Sequence, residues 1–256
     1  MAWRAGPAVR FNPFETNERR NILKNLIPNR TIWAALVLIG VGTSALEAPG
    51  EPAPTIGPEA YMDQAGYWPP DTRPVAVCWV TPELRHEAQR QMVRDSVRKH
   101  IEDPSGMRFA SVWRACDGRA RGIRITVSEK AWPVSNVGRQ SAGSTEMILN
   151  FQLDRFPGFA AGCATRNDQC VRTVAVHEFL HAIGFLHEHL RPEARALQPE
   201  CPQALNPPTD FSGYKPLPVG DYDRNSIMNY CNNIYKGEPA LSAGDLAALR
   251  LWYPAN

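Results

Sequence analysis

The sequence predicts an α+β fold, a mixed sheet carrying helices, and three patterns predict it. Ile123, Ile125 and Val127 alternate with Arg124 and Thr126, as in a half-buried strand. The run VRTVAVHEFLHAIG is long and apolar enough for a core helix. Ser242 and Asp245 form a capping-box pattern before LAALRLWY, which starts a last helix. With 256 residues, 43% of them hydrophobic and 21% charged, the chain can bury one sizeable core and is too short for two large domains.

Taken in order, residues 1–48 look like an address rather than part of the fold. Arg4, Arg10, Arg19, Arg20, Lys24 and Arg30 precede the uncharged stretch Thr31 to Leu46, and Thr43 and Ala45 suit a signal peptidase. The stretch falls short of the roughly twenty residues a spanning helix needs. An export signal is expected, with a retained N-terminal anchor as the alternative and the only expected link to a membrane. Arg19-Arg20 and the residues after them are similar to a twin-arginine signal. Residues 49–74 carry seven prolines, from Pro49 to Pro74, and read as a linker or short pro-segment.

Residues 75–256 are expected to form the catalytic domain. VAVCWV from Val75 reads as a strand, and Leu84 to His100 as a helix with an apolar stripe of Leu84, Ala88, Met92, Val93 and Val97. His86 falls opposite that stripe, and His100 at the helix end suits the dipole. Met147 to Phe151 is a further strand, and a long helix is expected from about Val171 to Ile183. No internal repeat or oligomer signal appears, so a monomer is expected.

Net charge is +2, and the basic excess lies in the first thirty residues. Without a basic stripe or a recognition motif, nucleic acid is excluded as a partner. Six cysteines, all beyond residue 75 in a chain with an export-like start, point to disulfides. They permit fifteen connectivities, among which the sequence does not choose. The expected pairing is Cys78 with Cys116, Cys163 with Cys170, and Cys201 with Cys231.

The chemistry lies in His177-Glu178-Phe179-Leu180-His181, an H-E-x-x-H motif. Residues four apart share a helix face, so His177 and His181 can offer imidazoles to one ion while Glu178 stands beside it. Gly184, three residues later, permits a left-handed turn that brings His187 back as a third ligand. Three neutral imidazoles leave zinc an open position for water, unlike a closed structural site. A bare H-E-x-x-H arises by accident in something like one chain in a hundred; the glycine and third histidine at fixed spacing make the run far rarer. His189, two residues further on, is a competitor for the third position, and the spacing selects His187.

The run HEFLHAIGFLHEHLRP resembles the extended H-E-x-x-H-x-x-G-x-x-H motif of metzincin metallopeptidases. Met228, in Ser226-Ile227-Met228-Asn229-Tyr230, lies where those enzymes carry a methionine turn beneath the zinc, a polarizable floor. Phe185 after the glycine, Glu188 after His187, and Ser226, Met228 and Tyr230 narrow the resemblance to the astacins. The likeness implies a metzincin zincin fold: a mixed twisted sheet and active-site helix in an N-terminal subdomain, then a smaller irregular C-terminal subdomain with the methionine turn and final helix.

The same likeness implies a zinc endopeptidase with one catalytic Zn2+ held by His177, His181 and His187. Glu178 is then the acid and base acting on a water shared with the metal, and Tyr230 a switchable fifth ligand that also stabilises the reacting carbonyl oxygen. It further implies structural hydrogen bonds from Glu188 and a substrate-pairing edge strand at Ser135 to Arg139. The chain departs from the astacin pattern after Arg191, where Pro192-Glu193-Ala194 replaces an acidic run, so the ion pairs there are expected to differ. The expected substrate is a peptide or protein outside the cytoplasm, secreted or at the periplasm and cell envelope. The alternative is a catalytically silent zinc-containing protein that binds peptides at the envelope.

Overall fold

The computed structural model describes residues 57–118, 121–140, 143–201, 213–232 and 237–255. The export signal or anchor, and residues 49–56 of the linker, lie outside them. No described helix is long and apolar enough to cross a membrane.

Five strands form the main sheet: β2 (Val77–Trp79), β3 (Arg114–Ala115), β4 (Gly122–Val127), β5 (Val134–Ser135) and β6 (Ser144–Leu149). Their order is β3-β2-β4-β6-β5, with β5 antiparallel at one edge and the rest parallel. β4 and β6 run in register from Gly122 opposite Ser144 to Val127 opposite Leu149, so Ile123 and Ile125 share a buried layer with Met147 and Leu149. The alternation in the sequence is this layer. β6 begins three residues before Met147, where Ser144 and Thr145 carry no apolar signal.

Against the sheet packs α3 (Asn167–Ala182), with α1 (Glu87–Val97) packed on α3 and the short α2 (Ala160–Cys163) preceding it. Every residue of α3 from Val174 to Ala182 is buried, as expected of a helix that is apolar all round. It starts four residues before Val171. Its first turn, Asn167-Asp168-Gln169, is polar and so invisible to apolar periodicity; the Cys163–Cys170 disulfide ties that turn to α2.

The expected helix from Leu84 to His100 is three pieces: a 3₁₀ turn at Leu84–His86, α1, and a π turn at Arg98–Glu102. The tighter first turn breaks the 3.6-residue register. Leu84 is therefore 89% exposed and Ala88 also faces solvent, while Val93 and Val97 are buried. His86, expected opposite the apolar stripe, is buried with its ring edge-on to Phe151 at 5.4 Å.

Regular structure begins before Val75, within the residues read as linker. β1 (Ala60–Asp63) is buried throughout and pairs antiparallel with β7 (Pro216–Val219). Trp68 is buried and donates its indole N–H to the Ala182 carbonyl at 2.8 Å. Proline density hid a short strand followed by an aromatic anchor. Beyond α3 the described residues are mostly irregular, with α4 (Ala194–Leu197), β7 and then α5 (Ala243–Trp252) among them. The capping box at Ser242 and Asp245 forms as expected. Tyr253 after α5 is buried and donates its hydroxyl to the Ile183 carbonyl at 2.7 Å, fixing the end of α3. The three disulfides join Cys78 to Cys116, Cys163 to Cys170, and Cys201 to Cys231.

Candidate metal centre and active site

The site is built on the end of α3. His177 and His181 lie one turn apart, and a backbone carbonyl fixes each ring: Ile227 accepts from His177 Nδ1 at 2.9 Å, and Phe185 from His181 Nδ1 at 2.7 Å. With the proton held on Nδ1, each Nε2 presents a bare lone pair.

α3 ends in a Schellman motif. Gly184 N–H bonds to the His181 carbonyl at 2.9 Å and Phe185 N–H to the Leu180 carbonyl at 3.0 Å, with Gly184 at φ +104°. β1 braces the turn, since Asp63 N–H donates to the Gly184 carbonyl at 2.7 Å and Leu186 N–H to the Tyr61 carbonyl at 2.7 Å. The reversed chain brings His187 Nε2 to 3.2 Å from His177 Nε2 and 3.0 Å from His181 Nε2.

These separations fit one zinc ion. Zinc–nitrogen bonds of 2.0–2.1 Å in a tetrahedron put neighbouring nitrogens about 3.3 Å apart. Ligand atoms of His177, His181 and His187 all lie within 4.8 Å of one another, the only such group of three among the described residues. Burial, the largest cause in each case, lowers the pKa of His177 to about 4, of His181 to about 3, and of His187 well below its usual value. All three are therefore neutral, the form that binds metal.

Glu178 is buried, and burial pushes its carboxyl up to about 8 against a hydrogen bond from the Ser135 backbone. Its Oε2 has no hydrogen-bond partner among the described residues, a costly arrangement for a buried carboxylate unless it serves another group. A bound cation would pull that pKa back down.

Ser135 lies at the sheet edge, but the expected edge strand is short. After Ser135 the chain turns inward: Gly138 N–H bonds to the His181 carbonyl and Arg139 N–H to the Gly66 carbonyl. Gly138 has φ +61°, and a Cβ there would fall inside van der Waals contact with Gly66 Cα. Residues 138 and 139 thus serve the scaffold, and the edge is confined to the residues just before them.

Met228 is buried and hydrogen-bonded through its backbone to Ser226 Oγ and to Glu188 N–H, at 2.9 and 3.0 Å. The Tyr230 ring lies 4.2 Å from that of His187 and 5.5 Å from that of His177. His189 is buried against Tyr230, away from the three converging nitrogens.

Two supports were not read as site residues in the sequence. Asp245, known there only as a helix cap, accepts from Ser226 Oγ at 2.7 Å, Ile227 N–H at 2.9 Å and Ser242 N–H at 3.0 Å. It thereby holds the N–H of Ile227, the residue whose carbonyl orients His177. Arg191 is almost fully buried and donates to Glu188, to Glu193, and to the carbonyls of Val219, Gly220 and Asp221. Glu193 supplies an acidic partner where the astacin run is missing. Glu188 also accepts from Asp223 N–H at 2.9 Å, and burial raises its carboxyl to about 7.

A three-histidine centre at the end of a helix, with a buried carboxylate in the same turn and a methionine turn alongside, defines a zinc metallopeptidase of the metzincin class. Residues 67–198, just over half the chain, match the model of the astacin peptidase family, and the chain belongs to that family. It is a zinc metalloendopeptidase that acts on peptide or protein substrates. Among solved structures, myroilysin aligns with a TM-score of 0.50 at 18% identity, over 77% of this chain and 99% of that one. High choriolytic enzyme 1, a hatching-enzyme zinc-protease from Oryzias latipes (medaka fish), aligns with a TM-score of 0.46 at 17% identity, over 75% and 96% of the two chains. No curated protein matches the sequence.

Proposed function

We propose that the chain hydrolyses peptide bonds of extracellular or envelope proteins, with His177, His181 and His187 holding the zinc through Nε2. The observation that carries this is the approach of His187 Nε2 to 3.2 Å from His177 Nε2 and 3.0 Å from His181 Nε2, beside a buried carboxylate with an oxygen unpartnered among the described residues. Zinc, when bound, supplies Lewis acidity toward a scissile carbonyl and lowers the pKa of water toward neutrality. Glu178 Oε2 takes the proton of the attacking water and passes it to the leaving amine. The Ser135 N–H on the other carboxylate oxygen keeps Oε2 available. The Tyr230 hydroxyl would be a further, exchangeable holder of the zinc and a donor to the developing oxyanion. An extended substrate pairs with the sheet edge at Val134–Ser135.

Three disulfides support action in an oxidising compartment, and the apolar stretch Thr31 to Leu46 supports export there. Residues 1–48 are taken as signal or anchor, and the enzyme as a monomer.

The test is cleavage of a mixed peptide library by the full chain, with and without a zinc chelator, beside Glu178→Gln. Cleavage is expected to be chelator-sensitive and at least about a hundredfold slower in the variant, which keeps one zinc per chain. A near-wild-type rate in Glu178→Gln refutes the mechanism. No cleavage by a chain holding one zinc favours a silent peptide-binding protein.

A further inference from the structure

His189 has no place in the mechanism above, yet it is only 2% exposed and lies two residues from His187. Its ring stacks on Tyr230, with centroids 4.8 Å apart and planes 24° from parallel, and its other neighbour is His187 at 5.0 Å. Its Nδ1 accepts the backbone N–H of Tyr230 at 3.3 Å. That bond requires Nδ1 to be unprotonated, so the neutral ring carries its proton on Nε2, the reverse of the tautomer at His177 and His181. His189 is thus set to hold a main chain, whereas the other three present Nε2 to a metal.

We infer that His189 is a positioning residue for Tyr230: Nδ1 fixes the Tyr230 backbone while the ring forms the surface on which the phenol side chain moves. The inference rests on the reading of Tyr230 as metal ligand and oxyanion donor. A side chain that swings needs a stationary Cα, or its hydroxyl returns to a different place. On the chain's other side, the Asn229 side chain bonds to Gln198 and Tyr222, and Cys231 is disulfide-bonded to Cys201. Tyr230 itself is held at its N–H by His189. Misplacement of a donor by a fraction of an ångström lowers turnover without weakening ground-state binding, so the effect belongs in kcat.

The test uses the full chain in five forms: wild type, His189→Leu, which removes the acceptor, His189→Asn, whose Oδ1 takes the place of Nδ1, Tyr230→Phe, and the His189→Leu, Tyr230→Phe double variant. Each is measured for zinc content, for kcat and KM on a cleaved peptide, and, with copper(II) in place of zinc, for the visible phenolate-to-copper charge-transfer band. His189→Leu is expected to keep one metal per chain, lose about tenfold in kcat at unchanged KM, and weaken or shift the band. His189→Asn is expected to restore both. His189→Leu should cost nothing further in the Tyr230→Phe background.

A wild-type band in His189→Leu, or a loss that adds fully to that of Tyr230→Phe, overturns the inference. Should His189→Leu fail to fold, His189→Asn decides: a folded, metal-loaded chain without the band overturns it equally. Tyr230→Phe with wild-type kcat would sink the catalytic reading of Tyr230 alone, and the band then still reports whether His189 positions it.

Discussion

Asp245→Ala is the substitution whose consequence can be worked furthest. The carboxylate is fully buried and accepts from Ser226 Oγ, Ile227 N–H and Ser242 N–H. Alanine leaves the Ile227 N–H buried without a partner, at a cost of about 1–3 kcal/mol, and frees the Ser226 hydroxyl, which also accepts from Met228 N–H. Loss of the capping box adds about 1 kcal/mol. These terms overlap, so the expected total is about 2–4 kcal/mol, enough to threaten a domain of ordinary stability. Because Ile227 also orients His177, zinc affinity should fall as well, by roughly ten- to a hundredfold. Urea unfolding at about pH 7.5 of the metal-free and zinc-loaded chains measures the first effect, and competition with a chelator the second. If Asp245→Ala loses less than about 1 kcal/mol and binds zinc as the wild type does, the supporting chain from Asp245 through Ile227 to His177 is wrong.

Burial raises the Asp245 carboxyl from 3.8 to about 6. The native state then holds a proton that the unfolded chain has released, so this contribution to stability is fully present below about pH 4 and lost as pH rises through about 6, on the order of 2–3 kcal/mol. The difference in urea midpoint between wild type and Asp245→Asn should therefore change over that window, and a difference independent of pH rejects the assignment. Gly184→Ala places a Cβ at φ +104° and 3.4 Å from the Asp63 carbonyl, with an expected cost of about 1–2 kcal/mol and weaker zinc binding through His187; unchanged unfolding and zinc titrations would contradict it. Opening the Cys201–Cys231 loop, with its separation of 30 residues, by Cys→Ser at both positions should cost about 3–4 kcal/mol on the loop-entropy account. A melting temperature within a degree of wild type would show that the loop is held by other contacts.

What could be read from the sequence divides along a physical line. His177, His181, Gly184 and His187 were legible because a helix face and a glycine turn convert fixed spacing into fixed geometry. The Ser242 cap was legible for the same reason, since its partner Asp245 lies within one helical turn. Asp245's other role was not, because the groups it holds at Ser226 and Ile227 are brought to it by the fold and not by spacing. The same holds for Arg191, whose acceptors at Val219, Gly220 and Asp221 are distant in sequence. Helix periodicity misplaced Leu84 and His86 because a 3₁₀ turn changed the register locally, and proline composition hid β1 because four buried residues are too few to alter it.

Those illegible contacts share a direction. β1 braces the turn after α3, the Asp245 carboxylate holds the N–H of the residue whose carbonyl orients His177, and Arg191 with Glu188 ties the segment after His187 to the strand that pairs with β1. Each of the three histidines is thus anchored from a different part of the chain. Motif spacing can supply the ligands, but it cannot by itself hold nitrogens from two sides of a turn at 3.0–3.2 Å. That precision is set by residues whose substitution would leave the motif intact, so a chain could keep H-E-x-x-H-x-x-G-x-x-H and still lose its metal.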